Sequence, residues 1–467
     1  MEGVTLDKWG YEVKTSSDAC IAAINSYYDQ VLGYGRKRDV ILEAPKADPR
    51  CVLGNILAAS FICSSDPART PQFLDASKKY LENGSGYEKA VFDVVSYFIH
   101  PDRDDDLAVD MHSKHLKNYP KDLLSLKRIQ VLCFYMGRPD LSLQLVEQVL
   151  PLNKQASFIY GMLAFQLLEL GRMLDAEKAA KEGIQINKED AWSQHALCHV
   201  YQYECRFKEA IEFMEECSSS WSFLSSFMYT HNWWHVALCY LEGHSPIEKV
   251  REVYDTHVWK ELERSDATPA EVYLNALGLL LRIYVRGQIK VFEDCLSILA
   301  NCLQDQSVWY LEWHLDVLIV WTLTYAGEIS RAEDLLSGLR SRLSLMPDKK
   351  RRLMQQGMLL AEALHEYGKG ENEKALKLLG LEFDVMNFKV IGASDEQLDV
   401  FNEVWLALLI NTGQATKAIQ TIEKQLEKRD GAPFLWRLLE KSYQMLERPE
   451  AASAGEKARE LEAAYFP

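Results

Sequence analysis

Small residues recur at a fixed interval in the middle of this 467-residue chain. In "DDLAVDM", "PDLSLQL", "LDAEKAA" and "KEAIEFM", Ala108, Ser142, Ala176 and Ala210 stand 34 apart. Gly137 and Gly171 lie five residues before two of them, Cys205 takes that place before Ala210, and Pro120 lies twelve beyond Ala108. Thirty-four residues is the tetratricopeptide period. The small residue lets the second helix of a pair approach the first closely, and each pair buries its apolar stripe only by stacking on its neighbours. Further along, Ala332, Ala375, Ala418 and Ala452 resume the series at intervals of 43, 43 and 34, the first three with Gly327, Gly370 and Gly413 five residues earlier.

The expected fold is therefore all-α, a tetratricopeptide-type α-solenoid in which antiparallel helix pairs form a superhelix. Three continuous spans follow from the spacing: 1–90 as an N-terminal helical cap of degenerate repeats, 91–260 as regular repeats, and 261–467 as repeats with longer loops. Strand signals are nearly absent. The basic run Lys349 to Arg352 reads as a solvated helix start rather than a localisation signal.

Composition bounds the function. Lys and Arg number 52 against 68 Asp and Glu, a net charge of −16, and an acidic surface does not attract duplex nucleic acid or anionic membrane. Neither is expected as a partner. The N-terminal "MEGVTLDKWGYEV" has no apolar run, and no later segment offers about twenty uninterrupted apolar residues, so a cytoplasmic protein is expected. The ten cysteines include no C-x-x-C pair and read as reduced core residues. Phosphate-loop, dinucleotide and nucleophile-elbow motifs are missing from the sequence, so no catalytic residue is assigned.

Two segments carry histidines four apart: "AWSQHALCHVYQY", with His195 and His199, and "THNWWHVALCYLEG", with His231 and His235. At about 100° per residue, Trp192, His195, His199 and Gln202 share one arc, opposite Leu197, Cys198 and Tyr201. In the second segment His231, Trp234, His235 and Leu238 share the equivalent arc, opposite Val236, Ala237 and Tyr240. Both arcs face the concave groove of a tetratricopeptide stack, where the four imidazoles converge. Four readings stay open: a buried polar network, helix-helix aromatic packing with Trp192, Trp233 and Trp234, a small-molecule or peptide pocket, and a metal site whose ligands are His195, His199, His231 and His235. The cofactor expectation is none unless that metal is present. Glu204 and Glu242 are within reach to orient the imidazoles.

Over nearly its whole length the chain resembles the tetratricopeptide repeat protein 38 family. The resemblance rests on "SSDAC" at Ser16 to Cys20, "KADP" at Lys46 to Pro49, "DAWSQHALCH" at Asp190 to His199, "HNWWHVALCYLE" at His231 to Glu242, "YDTHV" at Tyr254 to Val258 and "GASDEQLDVFN" at Gly392 to Asn402. It implies an α-helical repeat protein without an established reaction. The chain departs from the family in placing Gln202 where an acidic residue tends to follow the histidine pair, and Leu398 where an arginine tends to precede "DVF".

Two functions are expected from different classes. The first is a non-enzymatic scaffold holding a protein or peptide partner in an aromatic and histidine-rich groove lined by Trp192, His195, His199, Gln202, His231, Trp234, His235 and Asp255, flanked by Phe134, Tyr135, Phe158 and Phe165, with Lys127 its one cation. That composition lacks the lysine and arginine clamp which grips a peptide C-terminal carboxylate. The second is a small-molecule- or metal-binding protein, or an unrecognised enzyme, centred on the histidine cluster with Asp255 and Asp399 as its nearest acids. A closed, deep cavity would favour the second and an open trough the first.

Overall fold

The computed structural model describes residues 3–466. Apart from one two-stranded ribbon, β1 (Thr5–Leu6) against β2 (Glu12–Val13), with Thr5 opposite Val13, its regular elements are helices. In chain order these are α1 (Asp18–Leu32), α2 (Glu43–Ala47), α3 (Val52–Ile62), α4 (Thr70–Tyr80), α5 (Gly86–Phe98), α6 (Asp105–Asn118), α7 (Leu123–Tyr135), α8 (Pro139–Val149), α9 (Ser157–Glu169), α10 (Met173–Ile186), α11 (Ala191–Tyr203) and α12 (Phe207–Cys217). They continue as α13 (Ser226–Glu242), α14 (Ile247–Val253), α15 (Pro269–Val285), α16 (Glu293–Cys302), α17 (Trp313–Tyr325), α18 (Ile329–Ser344), α19 (Asp348–Gly368), α20 (Asn372–Leu379), α21 (Asp395–Asn411), α22 (Ala415–Leu426), α23 (Pro433–Met445) and α24 (Glu450–Tyr465). The fold is all-α and of the tetratricopeptide type.

The chain forms two compact units, Met1–Ala196 and Leu197–Pro467, divided inside α11. In the N-terminal unit successive helices pack in pairs, α3 on α4, α7 on α8 and α9 on α10. In the C-terminal unit α13, α15, α17 and α19 pack side by side in that order, and α21 packs back on α15 as well as on its sequence neighbours. That return of α21 places the "GASDEQLDVFN" segment against residues far upstream.

The repeat marks have a backbone cause. Gly137, Gly171, Gly327, Gly370 and Gly413 adopt positive φ between 66° and 86°, the left-handed conformation that ends a helix and that glycine enters without strain. Cys205 takes the same conformation at φ 58°, as do His244, Gly287 and Glu447. His244 and Gly287 therefore mark two turns that the alanine spacing does not reveal, and they fill the gap between Ala210 and Ala332. Five residues beyond the glycine marks and Cys205, Ser142, Ala176, Ala210, Ala332, Ala375 and Ala418 are completely buried. Ala452 stands five residues after Glu447 but is exposed; Gly455, one turn later, is the close approach of α24, where an added Cβ would meet the Glu440 side chain of α23. The run Lys349 to Arg352 lies in the first turns of α19, as a helix start.

Ala176 and Ala210 have no room for a larger side chain. Leucine at either position should overpack the helix pair and cost about 1–3 kcal/mol, read as a lower urea midpoint. An unchanged midpoint in both variants contradicts this register.

Candidate functional site

Helix α13 and the part of α11 within the C-terminal unit bring His199, His231 and His235 together. One ring nitrogen of each lies within 4.8 Å of the others'. The His199 and His235 rings are 4.4 Å apart between centroids, and His231 and His235 4.8 Å. All three are buried, as are Gln202 and Trp234. The two opposed faces read from the sequence are both covered: α11 is buried from Ser193 to Gln202, and α13 from Thr230 to Cys239.

The hydrogen bonds fix which nitrogen of His231 holds its proton. Thr230 Oγ1 donates to the Ser226 carbonyl at 2.7 Å and so accepts from Asn275 Nδ2 at 2.8 Å. Asn275 must then turn its oxygen to His231, whose Nδ1 donates to Oδ1 at 2.8 Å. His231 is sandwiched between Phe227 and Trp234, with centroids 5.0 and 5.1 Å away. Burial holds its imidazole far below the ordinary range, at about 3. His235 Nδ1 faces Gln202 Oε1 at 3.1 Å. Gln202 thus supplies an orienting oxygen at the position where the resembling family tends to carry an acid.

The acid itself comes from elsewhere. Glu396, in the first turn of α21, places Oε2 2.8 Å from His199 Nδ1 and 3.1 Å from His235 Nδ1. Burial raises its carboxyl group above the usual range, with His199 opposing the rise. Ser394 and Gln397 form a capping box that starts α21 beside it. Arg282 donates to the Glu396 carbonyl at 2.7 Å and pairs with Glu242 at 3.2 Å. Glu242 also meets Arg286 at 3.7 Å and Arg429 at 2.6 Å, while Arg286 pairs with Glu403 at 2.6 Å and Arg429 with Asp399 at 3.3 Å. A cleft of about 300 Å³, lined by Glu242, Arg286, Phe434 and Arg437 among others, opens beside this ion network.

Glu204 and Asp255 lie apart from this group. Glu204 pairs with Arg206 at 2.9 Å, and Glu242 binds guanidinium groups. Asp255 is exposed in a π-helical turn, Tyr254–Val258, with Arg251 2.7 Å away, and does not join the cluster. Leu398 is buried apolar core. In the N-terminal unit His195, one turn before His199 on the same helix, stacks on Trp192 at 4.6 Å. Trp192 packs on Phe165 at 4.7 Å, Phe165 meets Phe134 at 6.2 Å, and Phe134 meets Tyr135 at 5.7 Å, a ladder of rings that ends in the exposed Tyr135. Lys127 lies over Trp192 at 4.5 Å and over Tyr34 at 4.1 Å, and burial pushes its amine down to about 7.

Glu396, Asn275 and Arg282 were not identified from the sequence. Glu396 lies within "GASDEQLDVFN" and Asn275 in an apolar helix, so only the capping-box pattern S-x-x-Q at Ser394 hinted at an organised helix start. His314, also buried, acts on His231 electrostatically, and burial holds it at about 3. Neither of its ring nitrogens has a hydrogen-bond partner among the described residues. The assembled cluster is a set of imidazoles oriented by a carboxylate and two amides, a chemistry that can hold a cation or a small polar molecule.

No family model matches the chain. Among solved structures it is similar to a human IFIT1 dimer with m7Gppp-AAAA, at 14% identity and TM-score 0.40, over 96% of this chain and 91% of that one. A second is Naa15/Naa10 bound to HypK-THB, at 14% identity and TM-score 0.25, over 81% of this chain and 64% of that one. At these values no ligand or partner carries over to this chain. The comparison nevertheless corrects the expectation of no nucleic-acid partner: IFIT1 is a helical-repeat protein solved with capped RNA. Net charge averages over a whole surface, whereas a few groups lining a groove decide whether a nucleotide is held. No described helix is long and apolar enough to cross a membrane.

The unfolded chain binds a proton at His314 below about pH 6.5, and the native chain does so only near 3. The stability from its neutral form is thus present above about 6.5 and lost as pH falls toward 3. Asp316, raised by burial to about 7, works in the opposite sense, its contribution being lost as pH rises through that value. Comparing His314→Gln with the parent isolates the histidine. Between pH 6 and 4 the variant's unfolding free energy should fall less steeply, by up to about 1.4 kcal/mol per pH unit; equal slopes in urea titrations would refute the assignment.

Proposed function

We propose that this chain is a tetratricopeptide-type binding protein whose C-terminal unit holds a small polar ligand or an ion at the site formed by His199, His231, His235 and Glu396. The observation that carries this reading is burial: an extended peptide lying in an open groove cannot reach side chains covered on every face. Orphaned polar groups support it. Asn232, fully buried, has no hydrogen-bond partner for either side-chain atom among the described residues, and the same holds for Trp234 Nε1 and both nitrogens of His314. Native interiors leave few such groups unsatisfied. Membership of the tetratricopeptide repeat protein 38 family is part of the same proposal, supported by motifs such as "HNWWHVALCYLE" and "GASDEQLDVFN", which supply His231, His235 and Glu396 to one site.

A second reading, a protein or peptide partner, draws on the N-terminal unit. There the ladder from Trp192 through Phe165 and Phe134 to Tyr135 reaches the surface, with Val131 and Tyr135 exposed. Aromatic side chains of this kind are enriched at partner interfaces. The continuous organisation into spans 1–90, 91–260 and 261–467 belongs to the proposal as well.

Protein purified without a histidine tag and measured by native mass spectrometry should exceed the mass of the denatured chain. The variant His199→Gln with His235→Gln should lose that excess while keeping its helical circular-dichroism signal. Identical native and denatured masses, with the variant losing only thermal stability, would make the cluster a structural network.

A further inference from the structure

We propose that His199, His231 and His235 bind one divalent transition-metal ion of zinc's class through their Nε2 nitrogens. This rests on the reading of the cluster as a ligand site and names the ligand.

The tautomers come first. His231 Nδ1 donates to an Asn275 oxygen whose orientation is fixed by Thr230. His199 and His235 both direct Nδ1 at Glu396 Oε2, and His235 Nδ1 also faces the Gln202 oxygen. His231 therefore carries its proton on Nδ1 and keeps its lone pair on Nε2, and the oxygens facing Nδ1 of His235 and His199 favour the same tautomer. In metal proteins a ligating imidazole is held in this way, its other N–H given to a carboxylate or carbonyl oxygen that fixes the ring and raises its basicity. A hydrogen-bonded core would satisfy its histidines equally well with mixed tautomers. Here the oxygens all sit on the same nitrogen.

The spacing agrees. Imidazole nitrogens bound to zinc at about 2.0–2.1 Å lie roughly 3.4 Å apart, and the cluster brings one ring nitrogen of each histidine within 4.8 Å of the others'. Imidazole ligands favour zinc, copper, iron and nickel over magnesium and calcium, which take oxygen.

The other cluster of possible ligands in this unit is different in kind. Glu242, Asp399 and Glu403 also converge, but their charge is matched by Arg282, Arg286 and Arg429 at 2.6–3.8 Å. A cation there would have to displace guanidinium groups already in place. At the histidine cluster the Glu396 carboxyl group, 2.8 Å from His199 Nδ1, is placed to offset part of an ion's charge.

The test uses the full chain, without a tag, stripped by chelator and titrated with cobalt(II), whose visible absorption reports low-coordinate nitrogen ligation. A single equivalent should bind with intense visible bands, and zinc(II) should displace it. Glu396→Gln and Asn275→Ala should each weaken cobalt(II) binding by about 10–100-fold, and His235→Gln should abolish the bands. Absence of stoichiometric cobalt(II) or zinc(II) binding by the parent protein overturns the proposal, whatever the variants do. If native mass spectrometry then shows a retained organic molecule, the ligand site stands and only the metal falls. If it shows neither ion nor molecule, both readings fail.

Discussion

Glu242 is the residue on which the closure of the C-terminal unit depends. From the end of α13 it engages Arg282 of α15 and Arg286 just beyond it, together with Arg429 ahead of α23. One carboxylate therefore ties three separate stretches of chain. Removing a charge from water costs several kcal/mol, which attraction offsets only where the geometry is good and the remaining donors are satisfied. Arg282, almost wholly buried, goes most of the way by meeting three carboxylates and donating to the Glu396 carbonyl, with only its Nε left without a hydrogen-bond partner among the described residues. That last bond carries the consequence inward, because it fixes the first turn of α21 and aims Glu396 at His199 and His235.

The imidazoles inherit their state from this arrangement. Asn275 and Gln202 face Nδ1 of His231 and His235, Glu396 lies beside Nδ1 of His199, and the apolar sandwich of Phe227 and Trp234 keeps His231 neutral. The N-terminal unit follows a different logic, with rings stacked from Trp192 to Tyr135 and a single buried lysine, Lys127, over two of them.

How much of this could be read in advance follows from the range of the interactions. The turn at Gly171 and the close approach at Ala176 are set by residues within one helix pair, so the repeat and its all-α fold were legible in the spacing. Cys205 was legible for the same reason, although a cysteine at positive φ is less usual than glycine. His244 and Gly287 were missed because the repeats they open have no alanine at the expected place. The histidine pairs were found through helical periodicity, which also grouped Gln202 and Trp234 with them. Glu396 escaped because periodicity relates neighbours on one helix, and the return of α21 onto α15 is a tertiary event. Asp255 was placed in the groove through its motif alone, and in the structure it faces Arg251 at the surface. The exclusion of nucleic acid failed for a related reason, since total charge carries no information about where charges lie.

The tautomers of the three histidines are the most direct measure of the site. Selective ¹⁵N labelling of histidine with multiple-bond ¹H–¹⁵N correlation at neutral pH reads which ring nitrogen is protonated. His199, His231 and His235 are predicted to be protonated on Nδ1, with Nε2 in the lone-pair form. Protonation of any of the three on Nε2 would mean that Glu396, Gln202 and Asn275 do not orient the cluster, and would contradict a ligand site built from these imidazoles.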